Sequence, residues 1–293
     1  MTKYFTRTFR VDWSDANADG EVHAAQYFRY VMETAWEWGS TVGLGIAESE
    51  ALGLGWVVRE TQIAFHRPLR PDDVFDLTIW LAEWRRVRGT RFFELKRRDD
   101  GALIAQGAQE VVSIDLGTLR PAAIPDTAVA KMHMDTFRTV PHREFPTFAL
   151  SDTPLFTMLR SVGWQDLDAQ AHVNNANYVA FAEDAVVTAL AEAGWPPARL
   201  RAEGMAIGNS VVHIRHLSPA SWGETLQISV RTAALTATGG VWHVAIVRDA
   251  DAAAIAQCVI AWDLTDRKDA RKHALPESLS KRLKEKAAVG AED

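Results

Sequence analysis

The feature that most constrains this chain is that it is written twice. At an offset of 151 residues, without a gap, 28 of the 128 pairs from 2/153 to 129/280 are identical, where chance at this alanine-rich composition gives about 9. The matches include Trp13/Trp164, Asp15/Asp166, Tyr27/Tyr178, Gly43/Gly194, Gly53/Gly204 and Pro68/Pro219, and the run Ile104-Ala-Gln106 against Ile255-Ala-Gln257. A period this long means one fold unit duplicated, not a solenoid of short repeats. The 293 residues are therefore expected to form two domains, 1–145 and 146–293. The stretch from 121 to 154 carries Pro121, Pro125, Pro141, Pro146 and Pro154 without sustained periodicity and reads as the linker.

Both copies follow one order. A short strand is expected to end at Trp13 or Trp164, followed by an Asp-rich turn and one long helix. The second helix starts after the N-capping pair Asn174-Asn175 and stops at Gly194, with Pro196 and Pro197 beyond. Tyr178, Phe181, Ala182, Ala185, Val186, Ala189, Leu190 and Ala193 make it apolar nearly all round, which predicts deep burial. The matching helix runs from about Ala25 to Val42 and stops at Gly43. Strands follow: Phe75, Leu77, Ile79 and Leu81 alternate with Asp76, Thr78 and Trp80, as Leu226, Ile228 and Val230 alternate with Gln227 and Ser229. Turns at Arg98–Gly101 and Arg248–Asp251 separate later strands. Each unit is thus α+β, one buried helix on about five strands. Pairing of the two sheets edge to edge would protect an exposed edge.

Composition removes several classes of function. One cysteine, Cys258, excludes a disulfide framework or a cysteine-rich zinc site. A net charge of −6 argues against a dedicated nucleic-acid binder. The N-terminus lacks the apolar core of a signal peptide, and no apolar run is long enough to span a membrane. A cytoplasmic protein without membrane attachment is expected.

Chemistry concentrates in Trp164-Gln-Asp166-Leu-Asp168-Ala-Gln170-Ala-His172-Val-Asn174-Asn175-Ala-Asn177-Tyr178. Two carboxylates, an imidazole and three amides precede a helix N-terminus, whose free N–H groups and positive potential suit a polarised carbonyl or an oxyanion. A carboxylate there can act as nucleophile or as general base on water. Asp and Asn in this setting also serve as caps. Polar residues at every second position (Asp168, Gln170, His172) exceed what a cap needs.

The run Asp166-x-Asp168-x-x-x-His172-Val-Asn-Asn-x-x-Tyr178 resembles the signature of the hotdog-fold acyl thioesterases, the 4-hydroxybenzoyl-CoA thioesterase group. It is more similar still to their acyl-ACP thioesterase branch, with its Asp-x-Asn-x-His-Val-Asn-Asn run. The resemblance covers both copies, including Arg67-Pro68 ahead of Asp72-Asp73. It implies two tandem hotdogs, each a long helix wrapped by an antiparallel sheet, fused into an intrachain pseudo-dimer with active sites at the interface. It also implies that Asp168 is the catalytic carboxylate and His172 the branch's histidine. Gln170 stands where that branch has Asn, and the Glu that plant enzymes place on the next strand has no counterpart. Asn174 and Asn175 would supply the helix-start amides.

Copy one departs from this pattern, reading Asp15-Ala-Asn17-Ala-Asp19-Gly-Glu21-Val-His23. Asn17 replaces the carboxylate, so this copy is expected to bind without catalysing, unless Asp19 or Glu21 has taken over. Residues 83–98 hold seven basic side chains against two acidic, while the equivalent segment of copy two is neutral. Such a run is either a solvated hairpin face or a phosphate contact. Glu83-Trp84-Arg85-Arg86 resembles the coenzyme A contact of 4-hydroxybenzoyl-CoA thioesterase, which implies substrate binding by Arg85, Arg86 and Arg88 beside Asn17. An acidic carrier protein would favour the same patch.

His213, His216 and His243 read as satisfied or surface histidines, Cys258 as packing, Trp36 and Trp38 as core or interface, and 277–293 as an exposed, fraying charged helix. The expected activity is hydrolysis of an acyl-CoA or acyl-ACP thioester without metal or cofactor. A non-catalytic acyl-thioester binder is the alternative. A hotdog hydratase ranks third because its His-Pro-x-Phe-Pro-Gly-type run is missing. A homodimer of double hotdogs stays open.

Overall fold

In both copies the alternating segments become five antiparallel strands and the long apolar run becomes a helix. The computed structural model describes residues 4–132 and 134–284. The end of the charged C-terminal tail lies outside the described residues.

The chain divides into two units, Met1–Arg143 and Glu144–Asp293. The first runs β1 (Phe5–Arg10), α1 (Ala24–Thr41), α2 (Ile46–Ala51), β2 (Leu54–Phe65), β3 (Val74–Arg85), β4 (Arg88–Arg97), β5 (Leu103–Asp115) and α3 (Asp126–Val129). Its strands lie in the order β1-β3-β4-β5-β2, every neighbour antiparallel. The second runs β6 (Phe156–Ser161), α4 (Asn175–Glu192), α5 (Pro197–Ala202), β7 (Met205–His216), β8 (Thr225–Leu235), β9 (Gly239–Arg248), β10 (Ala254–Asp266) and α6 (Glu277–Lys284). Its order, β6-β8-β9-β10-β7, is the same topology. Each unit is a hotdog, a long helix laid on one face of an antiparallel sheet.

The duplication extends to backbone irregularities. Arg59, Ala82 and Ile104 are each skipped in their strand register, and so are Ser210, Ala233 and Ile255, each 151 residues on. Bulges bend and twist a strand, so their repetition gives both sheets the same curvature around the helix. Tyr178, Val179, Phe181, Ala182, Ala185, Val186, Ala189 and Leu190 of α4 are buried, as the apolar periphery of that helix predicts. Fully burying one such large side chain contributes about 1.5–3 kcal/mol. Among the described residues no helix is long and apolar enough to cross a membrane.

Two expectations need correction, the end of each first strand and the state of the C-terminal helix, and two further features add to the reading. The first strand of each unit stops at Arg10 or Ser161, and Trp13 and Trp164 instead open 3₁₀ turns, 86% and 77% exposed. The cause is the Asp two residues on. The Asp15 carboxylate accepts the Asp12 N–H at 3.1 Å and that of Asp166 accepts the Gly163 N–H at 2.8 Å, turning the chain out of the ladder. Trp80, which shares a strand face with Asp76 and Thr78, is fully buried, because the linker crosses the outer face of the first sheet. Its Nε1–H donates to the Arg138 carbonyl at 3.0 Å, and Val140 packs with Trp80, Phe92 and Ala108. Residues 145–155 cover the second sheet similarly: Phe145 meets His213, and the Ser151 carbonyl accepts from Arg231. Pro196 and Pro197 do more than end a helix, since Pro197 begins α5, where a missing N–H costs nothing. Finally, α6 is docked rather than fraying, with Leu279 and Leu283 fully buried.

Gly194 ends α4 with φ +86°, and a Cβ there would touch nothing within 4 Å. Gly194→Ala therefore isolates backbone strain. We expect a loss of about 1–2 kcal/mol, read as a lower urea midpoint with an unchanged m value.

Candidate active site

The motif of the second unit folds into a tight turn that ends on the N-terminus of α4. Asp168 N–H donates to the His172 carbonyl at 2.9 Å, and Ala171 N–H returns to the Asp168 carbonyl at 3.0 Å. Ala171 sits at φ +60° to close the turn. The Asp168 side chain holds the tip, its Oδ1 accepting the Gln170 N–H at 2.9 Å.

The first unit builds the same turn with an amide. Asn17 Oδ1 accepts from Asp19 N–H at 2.8 Å and Glu21 N–H at 3.2 Å, and Gly20 takes the positive φ of Ala171. Structure here thus requires one acceptor oxygen, which Asn and Asp both supply. A negative charge is additional. Among the described residues the second carboxylate oxygen of Asp168 accepts no hydrogen bond, and the side chain is half-buried.

Asp166 is committed to the scaffold. Besides the Gly163 N–H, it pairs with Arg160 Nη2 at 3.3 Å, and its carbonyl accepts Asn174 N–H at 2.9 Å and Asn177 Nδ2–H at 2.8 Å. Arg160 lies 4.0 Å over the Phe181 ring. In the first unit a different pair does this work: Phe9 and Tyr30 stand where Arg160 and Phe181 do, and the Tyr30 hydroxyl donates to Asp15 at 2.6 Å. Desolvation and the Asp15 carboxylate hold the Tyr30 phenol far above its ordinary pKa.

At the helix start, Asn174 is a true cap, its Oδ1 accepting Ala176 N–H at 3.0 Å while its carbonyl accepts Asn177 N–H at 2.8 Å. Asn175 is the first helical residue, and its N–H is not engaged among the described residues. Of the backbone amides at this start, Asn175 is the one available to an incoming oxygen. His172 is half-buried and Gln170 exposed, and neither side chain hydrogen-bonds another described residue.

The sequence reads His216 as a satisfied or surface histidine, and the structure places it otherwise. It lies at the end of β7 with its ring centroid 5.6 Å from that of Tyr178. The Tyr178 hydroxyl accepts the buried Ala220 N–H at 3.0 Å, and burial pushes its pKa up to about 12. His216 Nδ1 is buried without a hydrogen-bond partner, so this histidine is not satisfied, and the same holds for His243 Nδ1. The available signal was the repeat itself, which puts Phe65 opposite His216. Desolvation pushes the His216 pKa down to about 4 from 6.5. Between those values the unfolded chain binds the extra proton. The contribution is therefore complete above pH 6.5 and drains away as pH falls toward 4. His216→Phe should flatten this part of the dependence of Tm on pH relative to wild type, while the slope above pH 7 stays unchanged.

The basic run of the first unit is the hairpin β3–β4, turning at Arg86 with φ +59°. Most of its charge is neutralised locally. Arg85 pairs with Glu83, Lys96 with Glu94 at 3.1 Å, Arg97 with Asp73 at 3.4 Å and Arg98 with Asp76 at 3.7 Å. Arg86 and Arg88 are exposed and form no ion pair among the described residues. Cys258 is fully buried in β10 and its thiol is pushed far up by desolvation, which fits packing.

The family model of the thioesterase-like superfamily matches residues 11–132 and 162–283. An acyl-[acyl-carrier-protein] hydrolase of Cuphea viscosissima is 22% identical over 60% of this chain and 45% of its own length, so the match spans under half of that enzyme. Among solved structures, an acyl-ACP thioesterase from Bacteroides thetaiotaomicron superposes with a TM-score of 0.73 at 17% identity, over 89% of this chain and 98% of that one. The 12:0-ACP thioesterase from Umbellularia californica gives 0.72 at 18%, over 89% and 94%. At these identities the structures speak for the fold alone. The family model, matched once in each unit, shows that this chain belongs to the thioesterase-like superfamily and carries its domain twice.

Proposed function

We propose that the chain hydrolyses acyl thioesters of coenzyme A or of an acyl carrier protein, with Asp168 as the reacting carboxylate. The observation that carries this reading is the Asp168 turn, where one oxygen holds the loop and the other is left unpaired beside a helix start. The Asn175 N–H polarises the thioester carbonyl and steadies the oxyanion. Asp168 either attacks the carbonyl carbon or takes a proton from water that attacks it. In both routes the C–S bond breaks, a C–O bond to water's oxygen is the net replacement, and one water proton ends on the thiol. A thiol of pKa about 8.5 leaves with little acid assistance. His172 and Gln170, on the same turn, orient the water or the acyl carbonyl. Arg86 and Arg88 offer planar donors to a carrier's phosphates.

A second reading, an acyl-thioester binder, is favoured by one observation: Asn17 keeps the turn of the first unit without any charge. Free-thiol release scored over a panel of acyl-CoA and acyl-ACP thioesters separates the two. Hydrolysis predicts turnover of at least one member. Saturable binding with no release across the panel would establish the binder instead.

A further inference from the structure

The inner face of the first unit holds an open, mostly apolar cleft. Trp36 and Trp38 of α1, Trp56 of β2 and Trp84 of β3 line it, with Met132 beyond α3. One charged residue also lines it, Arg91 of β4. Arg91 Nη2 donates to Gln109 Oε1; Gln109 Nε2 donates to Thr61 Oγ1 at 3.0 Å. Gln109 and Thr61 are 2% and 1% exposed. Arg91 Nε is buried without a hydrogen-bond partner, and no carboxylate pairs with the guanidinium among the described residues. Burial pushes its pKa down to about 10, leaving it cationic at neutral pH.

The second unit fills the equivalent positions differently. Trp242 stands at the position of Arg91 and Trp262 at that of Val111, and their rings stack at 4.2 Å and 12°, both buried. Ile260 and Val212 replace Gln109 and Thr61, both buried and apolar. The same scaffold thus accepts an apolar plug here. A half-buried guanidinium without a carboxylate partner is costly unless an anion meets it, and its planar fork fits a carboxylate in two-point contact.

We propose that this cleft receives an acyl group that carries a free carboxylate, with Arg91 as the specificity-determining residue that pairs with it. The apolar walls take the methylene chain, and Gln109 and Thr61 hold the guanidinium in place. That the ligand is an acyl group rests on the thioesterase reading.

The test compares monomethyl suberate with methyl octanoate, whose ester ends stand in for the thioester and which differ by one free carboxylate. Binding is read by tryptophan fluorescence of the full chain, and hydrolysis of suberoyl and octanoyl thioesters of both coenzyme A and N-acetylcysteamine is scored alongside. We expect monomethyl suberate to bind about 10–100-fold tighter. Arg91→Gln should remove that preference while methyl octanoate binding persists. The pair Arg91→Trp with Val111→Trp, copying the plug of the second unit, should abolish both. Equal or tighter methyl octanoate binding by wild type overturns the proposal, and that comparison needs no variant. An effect of Arg91→Gln confined to coenzyme A thioesters also overturns it, since Arg91 would then read phosphate. If monomethyl suberate binds through Arg91 but no thioester is cleaved, the hydrolase reading falls and this one stands. Cleavage of octanoyl thioesters with no tighter binding of monomethyl suberate has the opposite meaning: the hydrolase reading stands and the role given to Arg91 falls.

Discussion

An Asp168→Asn protein is expected to fold as wild type does and to lose about 10²–10⁴-fold in kcat/KM for thiol release, the usual worth of a positioned base. The unchanged fold follows from the first unit. Asn17 already closes the same turn through its Oδ1, accepting from the residues two and four positions on. An amide oxygen in place of the Asp168 carboxylate would accept the Gln170 N–H in the same way. What an amide cannot supply is an ionised oxygen, either to attack a carbonyl or to remove a proton from water. Thermal unfolding should therefore coincide with wild type while the thiol-release assay separates the two proteins. A parallel loss of Tm would show that the charge itself holds the turn.

Trp80→Ala is expected to give a large stability loss, about 3–5 kcal/mol, or a Tm lower by about 10 °C for a unit of this size. Trp80 is fully buried between the sheet and the linker. Its ring meets Tyr4 and Phe92, each at 5.9 Å between centroids, and carries the Arg138 guanidinium 4.3 Å above it. Arg138 in turn pairs with Glu94 at 2.5 Å. Truncation leaves a cavity under the linker and removes the donor that the Arg138 carbonyl accepts. Trp80→Phe should cost far less, because most of the packing remains and one hydrogen bond is lost. Limited proteolysis should cut residues 134–143 faster in Trp80→Ala than in Trp80→Phe. Equal cutting rates would contradict the role given to the linker.

Much of this architecture was legible because the chain could be read against itself. The offset of 151 residues carried the order of elements along the chain, both helix stops and the turn motif. Burial of Trp80 was not legible, because alternation assigns a side chain to one face of a strand and says nothing of what later covers that face. The 3₁₀ turns at Trp13 and Trp164 were missed for a related reason. A tryptophan reads as the end of a strand, whereas the capping carboxylates of Asp15 and Asp166 decide the local backbone. At the site, the motif pointed to Asp168, and the geometry separates its free oxygen from the fully engaged Asp166. The basic run looked like one patch in sequence, but cross-strand neighbours such as Asp76 and Asp73 neutralise most of it. Arg91 belongs to that run by sequence and to an apolar cleft by fold, since β4 turns alternate residues inward.

The central claim is that the charged turn of the second unit, not its counterpart in the first, drives hydrolysis. Its most direct measurement compares kcat/KM for thiol release in Asp168→Asn with that in an Asp19→Asn, Glu21→Gln double variant, which removes the carboxylates of the first turn and keeps their hydrogen-bonding oxygens. The double variant should retain the wild-type rate within about twofold, and Asp168→Asn should lose nearly all of it. Full activity in Asp168→Asn, with loss in the double variant, would place the chemistry in the first unit and contradict the account.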